Sequence, residues 1–312
     1  MASGAKTTIA FVREQTPGVT PASGWQNFLR TSFNVKSSTS QNDSNEISDS
    51  RVVGAKSNGF TDVNGDFGAK FRPRVLDDFL ASVFGNDFEG DENQATLKAG
   101  DNKITFSSLE NFRDIAIYAI ANGLQVSDLE IAFDGSGDIS TTTTFAGLGF
   151  THSSGTPTQS PSAADERKAY GFKDCTTFEI NDKSAAGVAC VDSFSVKFHN
   201  ALEAVRCWGS GLSTPGAQQM DTFSFDGSVT LMWSPMAYEV FKQQVEGDFF
   251  KLKFMVGNED YEYWFEFPKV QPQIDWPEAA SGAIKATINL STAGVSPIIT
   301  RKKKGAAVKD GG

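Results

Sequence analysis

The side chains best suited to catalysis are scarce in this chain, and their spacing fits no familiar arrangement. Its two histidines are His152 and His199, and no serine or cysteine in an elbow such as GxSxG accompanies them. A histidine-activated nucleophile therefore has little support in the sequence. Phosphate-binding signatures are missing too, because the chain has neither a GxxxxGK[ST] loop nor a GxGxxG motif after a strand-like run.

Carboxylates are plentiful but poorly placed for acid–base work. Several are neighbours in sequence, and adjacent side chains point apart, whereas acid–base catalysis needs carboxylates that converge in a cleft. The run from Asp62 to Asp66 begins like a calcium loop, yet Phe67 stands where such a loop needs glycine, and Pro73 where it needs a bidentate glutamate. The sequence therefore predicts no catalytic residue, no metal site and no cofactor.

The composition is typical of short strands joined by turns. Of the 312 residues, 39% are hydrophobic and 21% charged, with 29 glycines and 26 phenylalanines, and such a mixture favours β-structure over helical bundles. The net charge of −10 and the pI of about 4.8 disfavour unaided attraction to nucleic acid or to an anionic membrane. No run approaches the ~18 apolar residues that span a bilayer, and the start lacks a secretory signal, so we expect synthesis in the cytoplasm.

Two further residue types have both a binding and a packing interpretation. The cysteines form no CxxC pair and leave at least one unpaired, which fits a reducing compartment and small buried apolar side chains; they are Cys175, Cys190 and Cys207. Tryptophans could stack on sugars, although large aromatic side chains in alternating strands usually belong to a core; they are Trp25, Trp208, Trp233, Trp264 and Trp276.

Two stretches of the chain repeat one another at a distance of about 162 residues. In each, a glycine-containing dipeptide opens a strand-like run that leads through an aromatic residue to a proline, a helical run, a glycine and a phenylalanine. The paired positions are Asn64-Gly65 with Asp226-Gly227, Phe71 with Trp233, Pro73 with Pro235, Phe79 with Phe241, Val83 with Val245, Gly85 with Gly247 and Phe88 with Phe250. The spacing predicts one unit used twice.

Two more matches keep the same order. Residues 32–36 resemble residues 193–197 at nearly the same offset, and residues 136–139 resemble residues 281–284 at an offset of about 145. Collinear matches with one change of length indicate a duplication with an insertion in the first copy. Similar modules in tandem commonly build extended surfaces or rings.

The hydrophobic pattern predicts strands with one amphipathic helix in each copy. Asn58-Gly59 and Asn64-Gly65 are typical hairpin turns, while Pro73 and the pair Ser234-Pro235 suit helix N-termini. On the buried faces of the two helices we expect Phe79, Val83, Phe241 and Val245. Clear hairpins are predicted for residues 124–133 with 138–145 and for residues 249–256 with 261–267, whereas residues 112–123 fit either a short buried helix or a strand.

These patterns give a predicted domain organisation. Residues 1–24 form an N-terminal arm, 25–150 a first module, 151–170 a linker, 171–292 a second module and 293–312 a basic flexible tail. Within the first module, residues 37–50 are almost purely polar and longer than a hairpin turn needs, so they are either disordered or held by a partner surface.

Several short motifs, in one order along the chain, resemble those of tail tube proteins of long-tailed bacteriophages, most closely of the non-contractile, siphovirus type. They lie at residues 14–18, 25–31, 48–51, 63–67, 191–202 and 265–270, followed by Ser281-Gly282 and a final alternating strand. The resemblance spans about residues 8–292 and rests on collinearity, because each motif is short. The basic run at residues 301–304 lies beyond this span, and the threonine run at 141–144 is not part of any of the matching motifs.

The resemblance implies a fold and an assembly. Such proteins are built from two packed β-sheets with a flanking helix, and they form stacked rings whose inner strands join into one barrel around a channel. Two tandem modules of this β-sandwich or half-barrel type would let three chains supply the roughly six units of a pseudo-sixfold ring. The implied role is a virion tail tube that passes double-stranded DNA without binding it specifically, assembled in the host cytoplasm.

The resemblance also suggests where the working surfaces lie. The inner-barrel strands would present polar side chains to the lumen, at Asn64, Asp66, Lys70, Asp226, Ser228 and Thr230. The polar loop and the arm would stack one ring on the next, through Ser38, Gln41, Asn42, Asp43, Asn45, Glu46, Arg13 and Glu14. Implied partners are further copies of the chain and the tail terminator, distal tail and tape-measure proteins, with no membrane.

A second function stays open on the sequence alone. A two-domain β-sandwich that binds carbohydrate or mediates adhesion would use exposed tryptophans, and electron micrographs would separate it from a tube protein. The sequence does not decide between contractile and non-contractile tails, nor what the basic run touches.

Overall fold

Strands dominate the computed structural model, which describes residues 3–44, 52, 54–133, 135, 137–186, 188–206, 213–278 and 281–305. Strands make up 54% of the chain, and the described residues include the α-helices α1 (Asp77–Phe84) and α2 (Pro235–Glu246) and the 3₁₀ turns Gly4–Lys6 and Phe172–Asp174. The mainly β prediction is confirmed. No described helix is long and apolar enough to cross a membrane.

The ladders between the described strands are antiparallel, and several join strands that are far apart in the chain. They are β1 (Thr7–Arg13), β2 (Gln26–Asn27), β3 (Ser32–Phe33), β4 (Lys36–Asn42), β5 (Ser57–Lys70), β6 (Glu89–Gly90), β7 (Gln94–Leu97), β8 (Phe106–Phe112), β9 (Ile117–Phe133), β10 (Ser140–Gly147), β11 (Gly149–Ser154), β12 (Cys175–Ile180), β13 (Lys183–Ser184), β14 (Val191–Val205), β15 (Ala217–Met232), β16 (Phe250–Gly257), β17 (Tyr261–Ile274), β18 (Lys285–Thr292) and β19 (Ile298–Lys303).

One ladder, which we call the central sheet, crosses the molecule in the order β5-β10-β9-β14-β15-β18-β17. Strands β3 and β4 pair with β5 and form its first edge. A second ladder, β6-β7-β19-β17-β16-β12-β13, shares β17 with the central sheet. A third, β2-β1-β8-β9-β11, shares β9. The shared strands β9 and β17 are 17 and 14 residues long, respectively, and each runs from one ladder into another.

Alternation along the central strands separates a core face from a solvent face. In β5, Val63, Phe67 and Ala69 are buried, whereas Asn64 and Lys70 are exposed. Aromatic rings fill the core: the Phe79 ring of α1 lies 5.1 Å from that of Phe11 in β1 and 5.4 Å from that of Phe145 in β10. Burying each such ring contributes about 2–3 kcal/mol to folding. These contacts tie the helix, the third ladder and the central sheet into one core.

The two helices start differently although they occupy matching places in the repeat. Ser234 caps α2, its hydroxyl accepting from the Ala237 amide at 3.4 Å, as predicted. Helix α1 begins at Asp77 rather than Pro73, because Arg74 has φ 66° and this left-handed residue cannot continue a helix. Both helices end at a left-handed glycine.

The predicted inner helix faces hold for α1 and fail in part for α2. In α1, Phe79 and Val83 are both 1% exposed. In α2, Phe241 is half-buried against the core, but Val245 is 70% exposed, so the prediction for it is wrong. Helix α1 packs against β9 and β14, whereas α2 packs against β17 and its last turn is exposed to solvent.

Neither predicted turn in the first copy exists. Both Asn58-Gly59 and Asn64-Gly65 lie within the continuous strand β5, which pairs with β4 and β10. Gly65 serves another purpose: a Cβ atom there would lie 2.5 Å from the Asn34 carbonyl oxygen, and its φ is 151°. At its counterpart Gly227, a Cβ atom would lie 2.2 Å from the Ser195 carbonyl oxygen. At both places a neighbouring strand passes too close for any side chain.

Three segments predicted as irregular contain strands. The polar loop contains most of β4, the linker contains most of β11, and the flexible tail contains β19. The predicted arm contains β1, which pairs with β8. Of residues 112–123, which the sequence left open, those from Ile117 onward belong to β9. Strand β19 pairs with β7, about 200 residues earlier in the chain, and local composition does not reveal such a partner.

The predicted hairpins are confirmed by the strand ladders. Strands β9 and β10 pair from Ala132–Ser140 onward, and β16 and β17 pair around the turn that follows Gly257. Asp134, in the predicted first turn, lies outside the described residues.

The same strand order occurs in both halves of the chain. Strand β10 lies between β5 and β9, with β8 beyond, as β18 lies between β15 and β17, with β16 beyond. Registers also match; equivalent pairs are Phe33–Phe67 with Phe194–Val229, Lys36–Asn64 with Lys197–Asp226, and Leu129–Thr143 with Ile274–Ile288. This agreement is what the predicted duplication requires, and the division into tandem modules stays a prediction.

Candidate functional site on the polar face of the central sheet

The central sheet has one wholly buried face and one polar face, and the polar face is the candidate functional surface. Three rows of paired residues cross it; they are Lys70-Ser140-Ala132-Ser195-Ser228-Asn289-Gln273, Gly68-Thr142-Glu130-Lys197-Asp226-Ser291-Gln271, and Asp66-Thr144-Asp128-His199-Ser224. We call these rows the polar face. Two of them span seven strands without a large apolar side chain.

Hydroxyl groups link neighbouring strands across this face. Thr144 donates to the Asp66 carboxylate at 2.7 Å, the Ser195 and Ser228 hydroxyls are 3.2 Å apart, and the hydroxyls of Thr230 and Thr287 are 3.0 Å apart. Cross-strand pairs of this kind stabilise a register by a few tenths of a kcal/mol each, on the order of 0.2–1 kcal/mol. The face is therefore polar and also held in one arrangement.

Opposite charges meet in the middle of the polar face. Lys197 lies directly opposite Glu130 on one side and Asp226 on the other, and its ammonium is 3.4 Å from the Asp128 carboxylate. Burial alone would raise the pKa of Asp128, but hydrogen bonds from His199 and Ser127 and the charge of Lys197 outweigh it, so the pKa lies below its ordinary value. The carboxylate is thus ionised at neutral pH.

His199 joins two carboxylates on this face. Its Nδ1 is 2.6 Å from Asp128 and its Nε2 is 2.8 Å from Asp226. Carboxylates only accept hydrogen bonds, so both contacts are satisfied together when the ring carries a proton on each nitrogen. The ring links β9, β14 and β15 through these two contacts.

All of the predicted lumen residues lie on one side of the central sheet. Asn64, Asp66 and Lys70 alternate along β5, and Asp226, Ser228 and Thr230 alternate along β15. Three strands, β10, β9 and β14, separate β5 from β15 in the ladder, so the two groups are parts of one surface. Their role in a lumen remains a prediction.

The sequence analysis missed the middle of this surface. Asp128 and Glu130 come from β9, Thr142 from β10, and Lys197 and His199 from β14. The alternation of charged or polar with apolar residues in 128–133 and 193–199 was the available signal. Within the threonine run the same alternation holds, since Thr141 and Thr143 are buried while Thr142 and Thr144 face outward.

The predicted ring-stacking residues lie in different environments. Ser38, Gln41 and Asn42 are exposed on β4, at the outer end of its ladder with β5. Asp43 is exposed and pairs with Lys56 at 2.7 Å. Asn45 and Glu46 lie outside the described residues. The hairpin is solvent-facing, as a contact surface requires.

The arm residues do not fit the predicted stacking role equally. Arg13 is exposed but bound to the Asp87 carboxylate through two contacts of 2.6 and 2.9 Å. Glu14 is only 8% exposed. Its carboxylate accepts hydrogen bonds from the Gly123 and Gly18 amides, both at 2.8 Å, and from Thr105 and Ser107 hydroxyls at 2.8 and 2.6 Å. A carboxylate held by four internal donors is unavailable to a neighbouring ring, so the prediction for Glu14 is wrong.

A second buried charge cluster fixes β19. The Asp77 carboxylate accepts a hydrogen bond from the Tyr263 hydroxyl at 2.6 Å, pairs with Arg301 and lies 3.0 Å from Nε of Arg74. Arg301 is 6% exposed. Burial, and then the negative charge of Asp77, raise the pKa of Tyr263 well above its ordinary value. The basic run at 301–304 is therefore partly structural.

The tryptophans do not form a sugar-binding platform in the described residues. Trp25 is 2% exposed. Trp276 is 61% exposed and packs edge-on against Trp233 at 5.3 Å and Phe241 at 5.2 Å. Trp208 lies outside the described residues. Among the described residues no group of three or more His, Cys, Asp and Glu side chains is placed to hold a metal ion.

Comparison with known proteins adds one finding. A family model described as a phage tail tube protein matches residues 4–292, nearly the whole chain. No curated protein matches the chain significantly.

Proposed function

The chain belongs to the phage tail tube protein family, and on this premise we propose that its copies self-assemble into stacked rings around a channel that conducts double-stranded DNA. Membership makes its role structural and its location the virion tail. Proteins of this family are generally not enzymes, and we propose that this chain has no catalytic activity.

The polar face of the central sheet is the observation that supports a channel. A sheet seven strands wide with a polar face opposite its core can line a wall, and joining the sheet edges of successive copies would close that wall into a barrel. In this proposal the three polar rows face the lumen, together with Asn64 in β5 and Thr230 in β15, which lie on the same side of the sheet. The rows contain the other predicted lumen residues, Asp66, Lys70, Asp226 and Ser228.

The charge of this surface suits passage rather than binding of DNA. Its three rows carry the carboxylates of Asp66, Asp128, Glu130 and Asp226 and the ammonium groups of Lys70 and Lys197. Both lysines contact carboxylates: Lys70 pairs with Asp138, and Lys197 with Asp128. Since attraction to the DNA backbone comes from uncompensated lysine and arginine, a duplex would slide over this wall.

The exposed hairpin of β4 and β5 supports a role in stacking. All seven residues of β4 are exposed, and its outer end meets the β14–β15 hairpin, where the Arg206 guanidinium lies 5.0 Å from the Phe60 ring. We propose that this double hairpin, with Ser38, Gln41, Asn42 and Asp43, contacts the next ring. Tail terminator, distal tail and tape-measure proteins are the proposed partners at the ends and inside.

Electron microscopy of the purified chain tests the proposal. We expect rings or tubes with a central hole, formed more readily as protein concentration rises. Dispersed particles under all conditions, or retention of DNA by the assembled tubes at physiological salt, would contradict it.

A further inference from the structure

At each outer edge of the central sheet, a segment of backbone has a free side that could pair with another strand. Within the described residues, the ladder of β3 and β4 is formed with β5 alone. At the opposite edge β17 ends at Ile274, and residues 275–278 have no strand partner. From these edges we infer that one copy of the chain joins the next by pairing residues 35–38 with residues 273–276, in a register already present inside the chain. The inference rests on the proposed ring assembly and names its interface.

The internal pairing of β9 with β14 is the template for this junction. It connects the two halves of the chain by antiparallel pairs, among which Val196 lies opposite Ile131 and Lys197 opposite Glu130. In the scheme that both halves share, β14 corresponds to β3 and β4, and β9 corresponds to β17. Each half therefore ends with a strand that can pair with the kind of strand that begins the next half.

The matched registers fix which residues would meet. Equivalent ladder pairs place Lys36 at the position of Lys197, since their partners are Asn64 and Asp226. They place Asp275 one residue after Ile274, as Glu130 follows Leu129, whose partners are Ile288 and Thr143. Transferring the internal pairs gives Val35 opposite Trp276, Lys36 opposite Asp275, Ser37 opposite Ile274 and Ser38 opposite Gln273.

The chemistry of the two edges agrees with this register. Lys36 and Asp275 are both exposed and have no ion pair within the described residues, and the junction places a basic group opposite an acidic one as the internal junction does. Val35 is 3% exposed on the core side of its strand, while Trp276 is 61% exposed on the core side of its own. The junction would cover the tryptophan and continue the core into the next copy.

The junction is head-to-tail because the two edges differ. Each copy leaves one edge for the next, and a contact of this kind forms a ring when the rotation between copies closes. The lumen side of the junction would carry Lys36, Asp275, Ser38 and Gln273, which extends the polar rows without a break.

A charge exchange on the full-length chain tests the interface. We expect Lys36→Glu and Asp275→Lys, each alone, to reduce the fraction of chains in rings by about tenfold or more at low salt, because like charges then face one another. The double variant should restore ring formation. Lys251→Glu is the matched control, since Lys251 pairs with the exposed Asp182 and takes no part in the proposed strand pairing, and it should leave assembly unchanged.

A cysteine pair tests the register directly. In a chain whose three native cysteines are replaced by alanine, Lys36→Cys with Asp275→Cys should give covalent multimers on mild oxidation of rings. Ser40→Cys with Asp275→Cys should not, because Ser40 lies four residues, or ~13 Å, further along β4.

The outcomes separate the interface from the proposed function. Suppose that the unaltered chain forms rings. If both single charge-reversal variants then form rings equally well, or if Ser40→Cys cross-links to Asp275→Cys and Lys36→Cys does not, this junction is overturned and the tube proposal stands. An unaltered chain that never forms rings would overturn both.

Discussion

Single residues of this protein act mainly as fixed links between strands, and Glu14 is the clearest example. Its carboxylate collects four hydrogen bonds from the loop after β1, from β8 and the residue before it, and from the left-handed Gly123. A buried carboxylate with several donors costs little to hold in place, whereas removing its accepting capacity leaves donors unpaired.

Glu14→Gln should therefore destabilise the fold. The amide nitrogen cannot accept, so at least one of the donors loses its partner, and we expect a loss of about 2 kcal/mol in the free energy of unfolding. Chemical denaturation of the isolated subunit measures it. Glu110→Gln, on β8 with a partly exposed side chain, is the control and should change stability by less than about 0.5 kcal/mol. Equal effects at both positions would contradict the structural role of Glu14.

The lowered pKa of Asp128 should make the stability of the fold depend on pH. Its pKa is lowered in the folded protein, so its contribution to stability is fully present above the unfolded-state pKa and is lost as pH falls through the folded-state pKa. Asp128→Asn should cost about 1 kcal/mol near neutral pH, and the difference from the unaltered protein should shrink as the pH is lowered below about 4. A difference that stays constant with pH would contradict the ionised bridge to His199 and Lys197.

At the scale of elements, the edge strands decide the architecture more than the helices do. Strand β19 pairs with both β17 and β7 and brings Arg301 to Asp77 at the start of α1. A segment that looks like a basic tail thus joins β7 to β17 in the second ladder. Its buried guanidinium is compensated by the Asp77 carboxylate, as a buried charge requires.

Arg301→Met should leave the Asp77 carboxylate with less compensation and lower the free energy of unfolding by about 3 kcal/mol. Lys303→Met is the matched control on the same strand, because Lys303 pairs with Glu92 on the surface at 2.8 Å, and it should cost less than about 1 kcal/mol. Thermal unfolding of both variants compares them directly, and a control as damaging as Arg301→Met would count against the buried cluster.

The exposed hairpin gives a prediction of a different kind. Deletion of residues 39–44 removes exposed or partly exposed side chains and keeps residues 35–38 of the proposed junction, so the subunit should still fold and form rings. We expect rings that no longer stack into tubes, because the proposed contact surface is gone. Circular dichroism checks the fold and electron microscopy the assembly; tubes of normal length would refute the stacking role.

At the scale of the whole molecule, the repeated strand order bears on ring symmetry. If each half supplies one unit of a roughly sixfold barrel, three chains complete a ring. Native mass spectrometry or image averaging of rings should give three copies of the 33.6 kDa chain, about 100 kDa in all. A ring of six chains would contradict the two-unit interpretation.

The sequence was sufficient for features that repeat over short distances. Period-two alternation marked the polar sides of β5 and β15, because side chains of a strand point alternately to its two faces. The spacing of glycines and aromatic residues predicted a repeat. Gly65 and Gly227 both lie against a carbonyl oxygen of a neighbouring strand, which gives a physical reason for glycine at both places.

Only the tertiary structure decided the features that depend on distant partners. Whether residues 36–42 or 298–303 are strands depends on the partners β5, β7 and β17. Whether Glu14 is a surface or a core residue depends on four donors, three of which lie more than ninety residues away. Backbone groups form a strand wherever a neighbouring edge satisfies them. Local composition cannot report that edge, which is why a polar loop and a basic tail were predicted where the folded chain contains strands.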